Sequence, residues 1–385
     1  MSSHAQPTPT PRWLAWVIVL SFTALLSGLV ISNLFALTQG DLSKLEKNGW
    51  HDFAHGAPMR ALAEDLRTTP LAAWLGQRQR ELAWIILDDL GPRVRQGCPG
   101  WLFLTDELTI HPQGAEHAKA RAHLALAVQR ALQARDQRLL IAVVPDKTRV
   151  EQDHLCELKR PARLASRYQD WIASLGVLGM EVIPLDQPLL EVKAALGSAY
   201  DRTDTHWRWE GAEAAAQTIA ARLRALGFKP QPERLYQHHL GPIQPRWGDL
   251  VRLAGLNELP EDLRPPPDEV AGLHFEALPQ AHAQVEEITA DILFGEHAAT
   301  RVTLVGTSFS RNASFADFLA EALHTDLGNL AKDGGGFAQS MLTFVTQDLN
   351  KTGSGWVIWE IPERVLEEPL SQAEQALAVE LAKAR

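Results

Sequence analysis

Cysteine is nearly missing from this chain of 385 residues, which has only Cys98 and Cys156. Neither lies in a CxxC pair or a His/Cys cluster, which argues against zinc or thiol redox chemistry and leaves a disulfide and two buried thiols as equal alternatives. Positive charge is also short. With 37 basic against 47 acidic residues the formal net charge is −10, which argues against nucleic acid or an acidic membrane surface as the main partner. There is no P-loop, no dinucleotide fingerprint, no GxSxG elbow, no internal repeat and no low-complexity run. His51 and His55 in HDFAH have metal-binding spacing but lack the glutamate of a zinc protease motif, so they read as capping or solvated histidines. No metal and no cofactor are expected.

One absence is local. No charged residue occurs from Trp13 to Gly40, and residues 13–37 are long enough to cross a hydrocarbon core as a helix. The stretch LVISNLFALTQG offers a poor cleavage site, so the expectation is an uncleaved anchor with the tail 1–12 inside and the rest of the chain outside the cytoplasm. Both cysteines then lie in an oxidising compartment.

A hydrophobic content of 45% predicts a sizeable core. Residues 38–95 read as a helical stalk or collar ending at Gly91 and Pro92, and residues 371–385 as a C-terminal tail. Between them, over 96–370, short apolar runs alternate with amphipathic stretches, the pattern of an α/β domain with a parallel sheet flanked by helices. The predicted strands are GWLFL (100–104) and residues 138–145, 181–185, 301–306 and 355–362; the predicted helices cover roughly 115–136, 160–176, 209–226, 312–324 and 337–349. RPPPDE (264–269) marks a surface excursion inside the domain.

Three segments hold candidate chemistry. In VTLVGTSFSRNASF a strand ends at Gly306 and a helix follows, which lifts Ser308 to the carboxyl edge of a parallel sheet, where open α/β folds bind ligands. Taken alone, GTSFS is also an ordinary turn. In YDRTDTHWRWEGA, Asp204 and His206 sit at a helix entrance, where a carboxylate fixes an imidazole's tautomer and stabilises the imidazolium. Asp204 is equally readable as a helix cap, and Asp201 is a second acid within reach. In KDGGGFAQSM, Gly334, Gly335 and Gly336 precede a helix, an arrangement that exposes N–H donors to an oxyanion but also serves as a plain tight turn. Together these supply nucleophile, base, orienter and oxyanion donors. Trp207 and Trp209 are candidates for a sugar platform, with Trp247 in PRWGDL a weaker one; a Trp at a helix entrance is also an ordinary core residue.

GCPGWLFL, VVPDKTRV, YDRTDTHWRWEGA, GDLVRLAGL, VGTSFS, DLGNLAKDGGG and VIWEIPER, in that order, resemble the AlgJ and AlgX type of polysaccharide O-acetyltransferase, over about residues 96–365. The resemblance implies an SGNH-hydrolase-like domain whose triad is Asp204, His206 and Ser308, with acid and base preceding the nucleophile, the reverse of ordinary SGNH esterases. The AlgX type carries an additional C-terminal carbohydrate-binding module, whereas here about twenty residues follow VIWEIPER, which makes the layout more similar to AlgJ or to WssI-type proteins of cellulose acetylation. It further implies a single-pass protein of the inner membrane with its catalytic domain in the periplasm, an acetyl donor in the form of an MBOAT-type membrane acyltransferase, other acetylation or secretion subunits as partners, and a polysaccharide acceptor.

The expected reaction is a double displacement: His206 deprotonates Ser308, the serine takes the acetyl group, and a sugar hydroxyl then removes it, the oxyanion being held by the Ser308 N–H and a glycine of 334–336. A triad alone does not separate a transferase from a carbohydrate acetylesterase, and a non-catalytic glycan-binding scaffold is a rival of another class. The acceptor is alginate or cellulose, with the acidic composition leaning towards the neutral glucan.

Overall fold

The structure, a computed structural model, describes residues 12–39, 69–231, 233–279, 301–348 and 355–383; the side chains at 25, 29 and 32–39 are not described. It divides into two units, Met1–Asp89 and Leu90–Arg385. In the first, the uncharged stretch forms helix α1 (Arg12–Gln39), and α2 (Pro70–Leu87) starts with Pro70, whose fixed φ suits a first helical position. Among the described residues no helix is long and apolar enough to cross a membrane, so the fold does not support the anchor expected over 13–37. HDFAH and most of the expected stalk lie outside the described residues.

The second unit opens with an antiparallel pair, β1 (Val94–Gln96) and β2 (Leu102–Leu104), followed by α3 (Gly114–Gln133), β3 (Gln137–Val144), the short α4 (Lys147–Val150), α5 (Arg167–Val177), β4 (Val182–Pro184), α6 (Asp186–Leu196) and α7 (Trp209–Ala225). A two-stranded ribbon, β5 (Tyr236–Arg246) and β6 (Asp268–Ala277), encloses α8 (Asp249–Leu253) in its connection. Then come β7 (Val302–Val305), α9 (Phe315–Leu323), β8 (Gly328–Asn329), α10 (Gln339–Thr343), β9 (Gly355–Pro362) and α11 (Gln372–Lys383). The central sheet has the order β4-β3-β9-β7-β8, and every pairing in it is parallel.

Period-two alternation explains the layering. Leu140, Ala142 and Val144 of β3 point into one core with Trp356 and Ile358 of β9, under α6, α7 and α9. Leu139, Ile141 and Val143 point into the other with Val357, Trp359 and Ile361, under α3, α5 and α11. The stretch read as a C-terminal tail is therefore mostly a packed helix: Leu377 and Leu381 are buried, and Glu374 pairs with the buried Arg121 at 2.8 Å. The chain leaves β3 towards β4 on one side and β7 towards β8 on the other, with β9 between, so a crevice opens at the carboxyl ends of the strands.

Candidate active site

An isolated bridge between Tyr200 and Trp207 closes the loop 201–206 over that crevice. Its backbone is held from several sides. Lys147 Nζ, at the end of β3 and wholly buried, donates to the carbonyls of Leu102, Arg202 and Asp204 at 2.7, 2.9 and 2.9 Å. Asp268 accepts the amides of Arg202 and Thr203 at 2.7 and 2.9 Å, and Asp249 accepts the Thr205 amide and hydroxyl at 2.7 and 2.8 Å. Gly248 is required by close approach: a Cβ there would fall 2.5 Å from Asp204 backbone and side-chain atoms.

The second segment is fixed by a strand below it. β7 ends at Gly306, and Ser308–Ser310 form a 3₁₀ turn. Glu360, on β9 and buried, accepts the Thr307 amide at 2.7 Å and the Ser310 hydroxyl at 2.9 Å. Burial pushes the Glu360 carboxyl up, against these hydrogen bonds. A Cβ at position 306 would sit 2.5 Å from Glu360 Oε2 and from Ser310 Oγ, so only glycine lets the carboxylate in.

These two segments bring Asp204, His206 and Ser308 into line. His206 Nδ1 lies 2.6 Å from Asp204 Oδ1, and Nε2 lies 2.7 Å from Ser308 Oγ. An ionised carboxylate only accepts, so Nδ1 carries the ring proton and Nε2 is free to accept the serine hydroxyl. Burial acts to raise the Asp204 pKa, but the hydrogen bond and charge of His206 outweigh it and hold the carboxyl well below the usual range. Phe309 packs against the imidazole at 5.0 Å between centroids, which limits its swing. A hydroxyl, an imidazole and a buried carboxylate in this sequence can form and resolve an acyl ester. Asp249 adds a third potential metal donor beside Asp204 and His206, but these donor atoms are already engaged with one another, with Ser308 and with Thr205.

Other expected residues fall elsewhere. Asp201 does not orient the histidine; it pairs with Arg246 Nη2 at 2.8 Å, and burial raises its pKa to about 6. Trp207 is fully buried between Phe309 and Phe315, so it has no face to offer a sugar. Trp209 packs on the same core and stacks on Phe318. Trp247 donates its indole N–H to the Pro265 carbonyl under Arg264. The glycine turn sits behind Gly306, where Lys332 N and Ser340 Oγ both donate to the Gly306 carbonyl. The Gly335 N–H is spent on the Lys332 carbonyl at 3.1 Å, so it is no oxyanion donor; Gly334 and Gly336 have φ of +65° and +53°, open to glycine and strained for other residues.

Sequence reasoning gave no role to Lys147, Asp249, Asp268 or Glu360, although three of them lie in or beside the quoted stretches VVPDKTRV, GDLVRLAGL and VIWEIPER. Charged residues inside apolar runs were the available signal: Glu360 interrupts a strand otherwise buried in apolar company. Cys98 and Cys156 form a disulfide, which settles the alternative left open above. Three guanidinium groups lie near the site, each with a carboxylate partner: Arg246 Nη2 is 2.8 Å from Asp201 and 4.0 Å from Asp204 Oδ2, Arg364 lies 5.0 Å over the Phe309 ring and 3.8 Å from Glu107, and Arg311, after the 308–310 turn, lies 3.5 Å from Asp333.

Comparison with known proteins adds an independent line. A family model described as the SGNH hydrolase-like domain of the acetyltransferase AlgX matches residues 94–363. The protein named "Probable alginate O-acetylase AlgJ" of Pseudomonas aeruginosa is 34% identical over 278 residues, which cover 71% of this chain and 71% of that protein. The solved O-acetyltransferase domain of Pseudomonas putida AlgJ superposes with a TM-score of 0.64 at 27% identity, over 76% of this chain and 99% of that one. Pseudomonas aeruginosa AlgX shares the fold, with a TM-score of 0.54 at 21% identity over 74% of this chain and 67% of that one.

Proposed function

The chain belongs to the family of SGNH hydrolase-like acetyltransferases represented by AlgX and AlgJ, and from that premise we propose that Ser308, His206 and Asp204 act as its catalytic triad in O-acetylation of an exopolysaccharide. The observation that carries this reading is the unbroken line from the Asp204 carboxylate through both ring nitrogens of His206 to the Ser308 hydroxyl.

His206 takes the proton of Ser308 as the serine oxygen attacks the acetyl carbonyl, and returns it to the departing donor oxygen. A sugar hydroxyl, deprotonated by the same nitrogen, then attacks the acetyl-serine and frees Ser308. Asp204 holds the ring and balances the imidazolium charge. The oxyanion falls to the Ser308 N–H.

Alginate is the acceptor favoured here over cellulose. The relatives' names point to it, and Arg246, Arg311 and Arg364 bring guanidinium groups near the site, where their present partners are the carboxylates of Asp201, Asp333 and Glu107. Guanidinium groups suit the carboxylates of a uronate polymer. The wider reading has residues 13–37 anchoring the chain in the inner membrane, the tail 1–12 inside, the catalytic unit in the periplasm and the acetyl group arriving from an MBOAT-type partner; the uncharged stretch from Trp13 to Gly40 and the disulfide support it.

The test is the purified full-length chain with p-nitrophenyl acetate, read by mass spectrometry for acetyl on Ser308, and then with oligomannuronates. Ser308→Ala is expected to abolish acetyl-enzyme. A variant that still takes up acetyl sinks the nucleophile assignment; free acetate with no acetylated sugar turns the reading to an esterase, and no acyl-enzyme in the wild type turns it to a glycan-binding scaffold.

A further inference from the structure

Beside the nucleophile turn runs an open groove of about 710 Å³, within the size range of small-molecule sites. It starts where the turn ends: Ser310 and Arg311 line its near end, and Asn329, in its wall, donates through Nδ2 to the Ser310 carbonyl at 3.0 Å. The groove is thus hydrogen-bonded to the segment that carries Ser308. Its floor is one face of α9, where Ala316 and Ala320, one turn apart, leave room above the helix. At the far end Tyr236 and Phe275, from the base of the β5–β6 ribbon, add aromatic surface. Both rings are held in place: Phe275 packs edge-on against Phe318 at 5.0 Å, and the Tyr236 hydroxyl donates to Asp326.

The chemistry of this lining selects its ligand. It is too polar for an acyl chain, since Ser314, Asp317 and Asn329 alternate with the alanines. It is also poor in cations for a nucleotide phosphate: among the described residues of its lining Arg311 is the one basic side chain, set against the carboxylates of Asp317 and Asp326. Spaced acceptors and donors with a pair of aromatic rings match a chain of hydroxyl-bearing rings.

We propose that this groove holds the acceptor polysaccharide, seating the sugar rings next to the one being acetylated, with Arg311 nearest the reacting unit and Tyr236 and Phe275 under the far end. The proposal rests on the transferase reading above. It makes acceptor length a determinant of affinity, because a monosaccharide at Ser308 leaves the groove empty.

The experiment is isothermal titration calorimetry on the full-length chain carrying Ser308→Ala, which binds without turnover, using oligomannuronates and cello-oligosaccharides from di- to hexasaccharide. Affinity is expected to rise with length, and Ala320→Trp, which puts an indole on the floor, to weaken hexasaccharide binding by about tenfold or more. Asp317→Lys, on the exposed rim, is the second variant, and a thermal melt shows that each is folded. Folded variants that bind the hexasaccharide as the parent does, or no binding of any oligosaccharide, overturn the groove. Acetyl transfer by the wild type alongside variant-insensitive binding removes the groove and leaves the transferase. Groove-dependent binding with no transfer does the reverse.

Discussion

Glu360 accepts the Thr307 amide at 2.7 Å and the Thr307 hydroxyl at 3.0 Å, so the residue before Ser308 is fixed from beneath by a neighbouring strand. Glu360→Ala strands the amide and the hydroxyls of Thr307 and Ser310 in a buried site, at a cost of roughly 1–3 kcal/mol per unpaired group. A shift of the serine by about 1 Å is worth on the order of a hundredfold in rate. Glu360→Gln keeps an acceptor oxygen and is expected to recover much of both losses. Urea denaturation and the rate of acetyl-enzyme formation read the two effects; equal activity in Glu360→Ala and wild type contradicts the role.

Lys147 ties the carbonyls of Leu102, Arg202 and Asp204 together, and the Arg202 carbonyl also accepts the Leu102 amide at 2.9 Å. Its removal in Lys147→Met takes the ammonium donor from all three carbonyls, of which that of Arg202 keeps the Leu102 amide, and takes a cation from among Asp268, Glu107, Asp204 and Asp201. The expected loss is roughly 3–5 kcal/mol of stability, the scale for breaking a buried charged network. Lys147→Arg does not restore it, since a planar fork cannot take the place of three donors on one small ammonium group. Thermal melts decide: an arginine variant as stable as wild type goes against this account.

The disulfide Cys98–Cys156 closes 58 residues of sequence and joins the segment before β2 to the one after α4, where Cys98 N also donates to the His154 carbonyl at 2.8 Å. The loop length corresponds to about 4 kcal/mol of stabilisation by restriction of the unfolded chain. The pair is distant in sequence from Asp204, His206 and Ser308, so the Cys98→Ser, Cys156→Ser chain is expected to melt at lower temperature and to acetylate Ser308 normally when kept cold. Loss of labelling in folded protein is the contrary result.

Much of this architecture is legible because parallel strands buried on both faces read as continuous apolar runs: the strand expected at 355–362 forms over those residues, and 138–145 is displaced by one. The meeting of Asp204 and His206, two residues apart, with Ser308 at a strand end was also legible as a juxtaposition. The β5–β6 ribbon was not, because β5 is mostly exposed and has Gly241 and two prolines, Pro242 and Pro245, inside it. Helix α11 was missed because so short an amphipathic segment declares itself only through its partners, Arg121 among them. Trp207 misled because exposure, not residue type, decides whether an aromatic ring meets a sugar, and exposure is set by Phe309 and Phe315. Lys147 acts through backbone carbonyls, which carry no sequence signature, and Glu360 shows only as a charge inside an apolar strand, which does not say that it meets Thr307 and Ser310.

Asp201 and Asp204 divide the electrostatics of one loop, and substituting each by asparagine separates them. Asp204→Asn removes the charge that balances the imidazolium and puts an NH2 donor in place of one of two oxygens that both accept, from His206 and from the Asp249 amide, so acyl-enzyme formation is expected to fall by roughly 10³–10⁴-fold. Asp201 touches neither His206 nor Ser308 in its hydrogen bonding; its partner is Arg246. Its folded pKa of about 6 exceeds the ordinary 3.8, chiefly through burial and then through Asp268. The folded state therefore holds this proton more tightly than the unfolded chain does. The contribution to stability is complete below about pH 4 and is lost as pH rises through 6, which leaves an ionised Asp201 costing roughly 2–3 kcal/mol at pH 7. Asp201→Asn is expected to stabilise the protein at pH 7 by somewhat less than that, because Arg246 loses its ion pair, and to give no gain at pH 4, where the acid and the amide are alike. Chemical denaturation of both proteins at the two pH values measures the difference. A gain that is the same at both, or larger at pH 4, is incompatible with a raised carboxyl at this position.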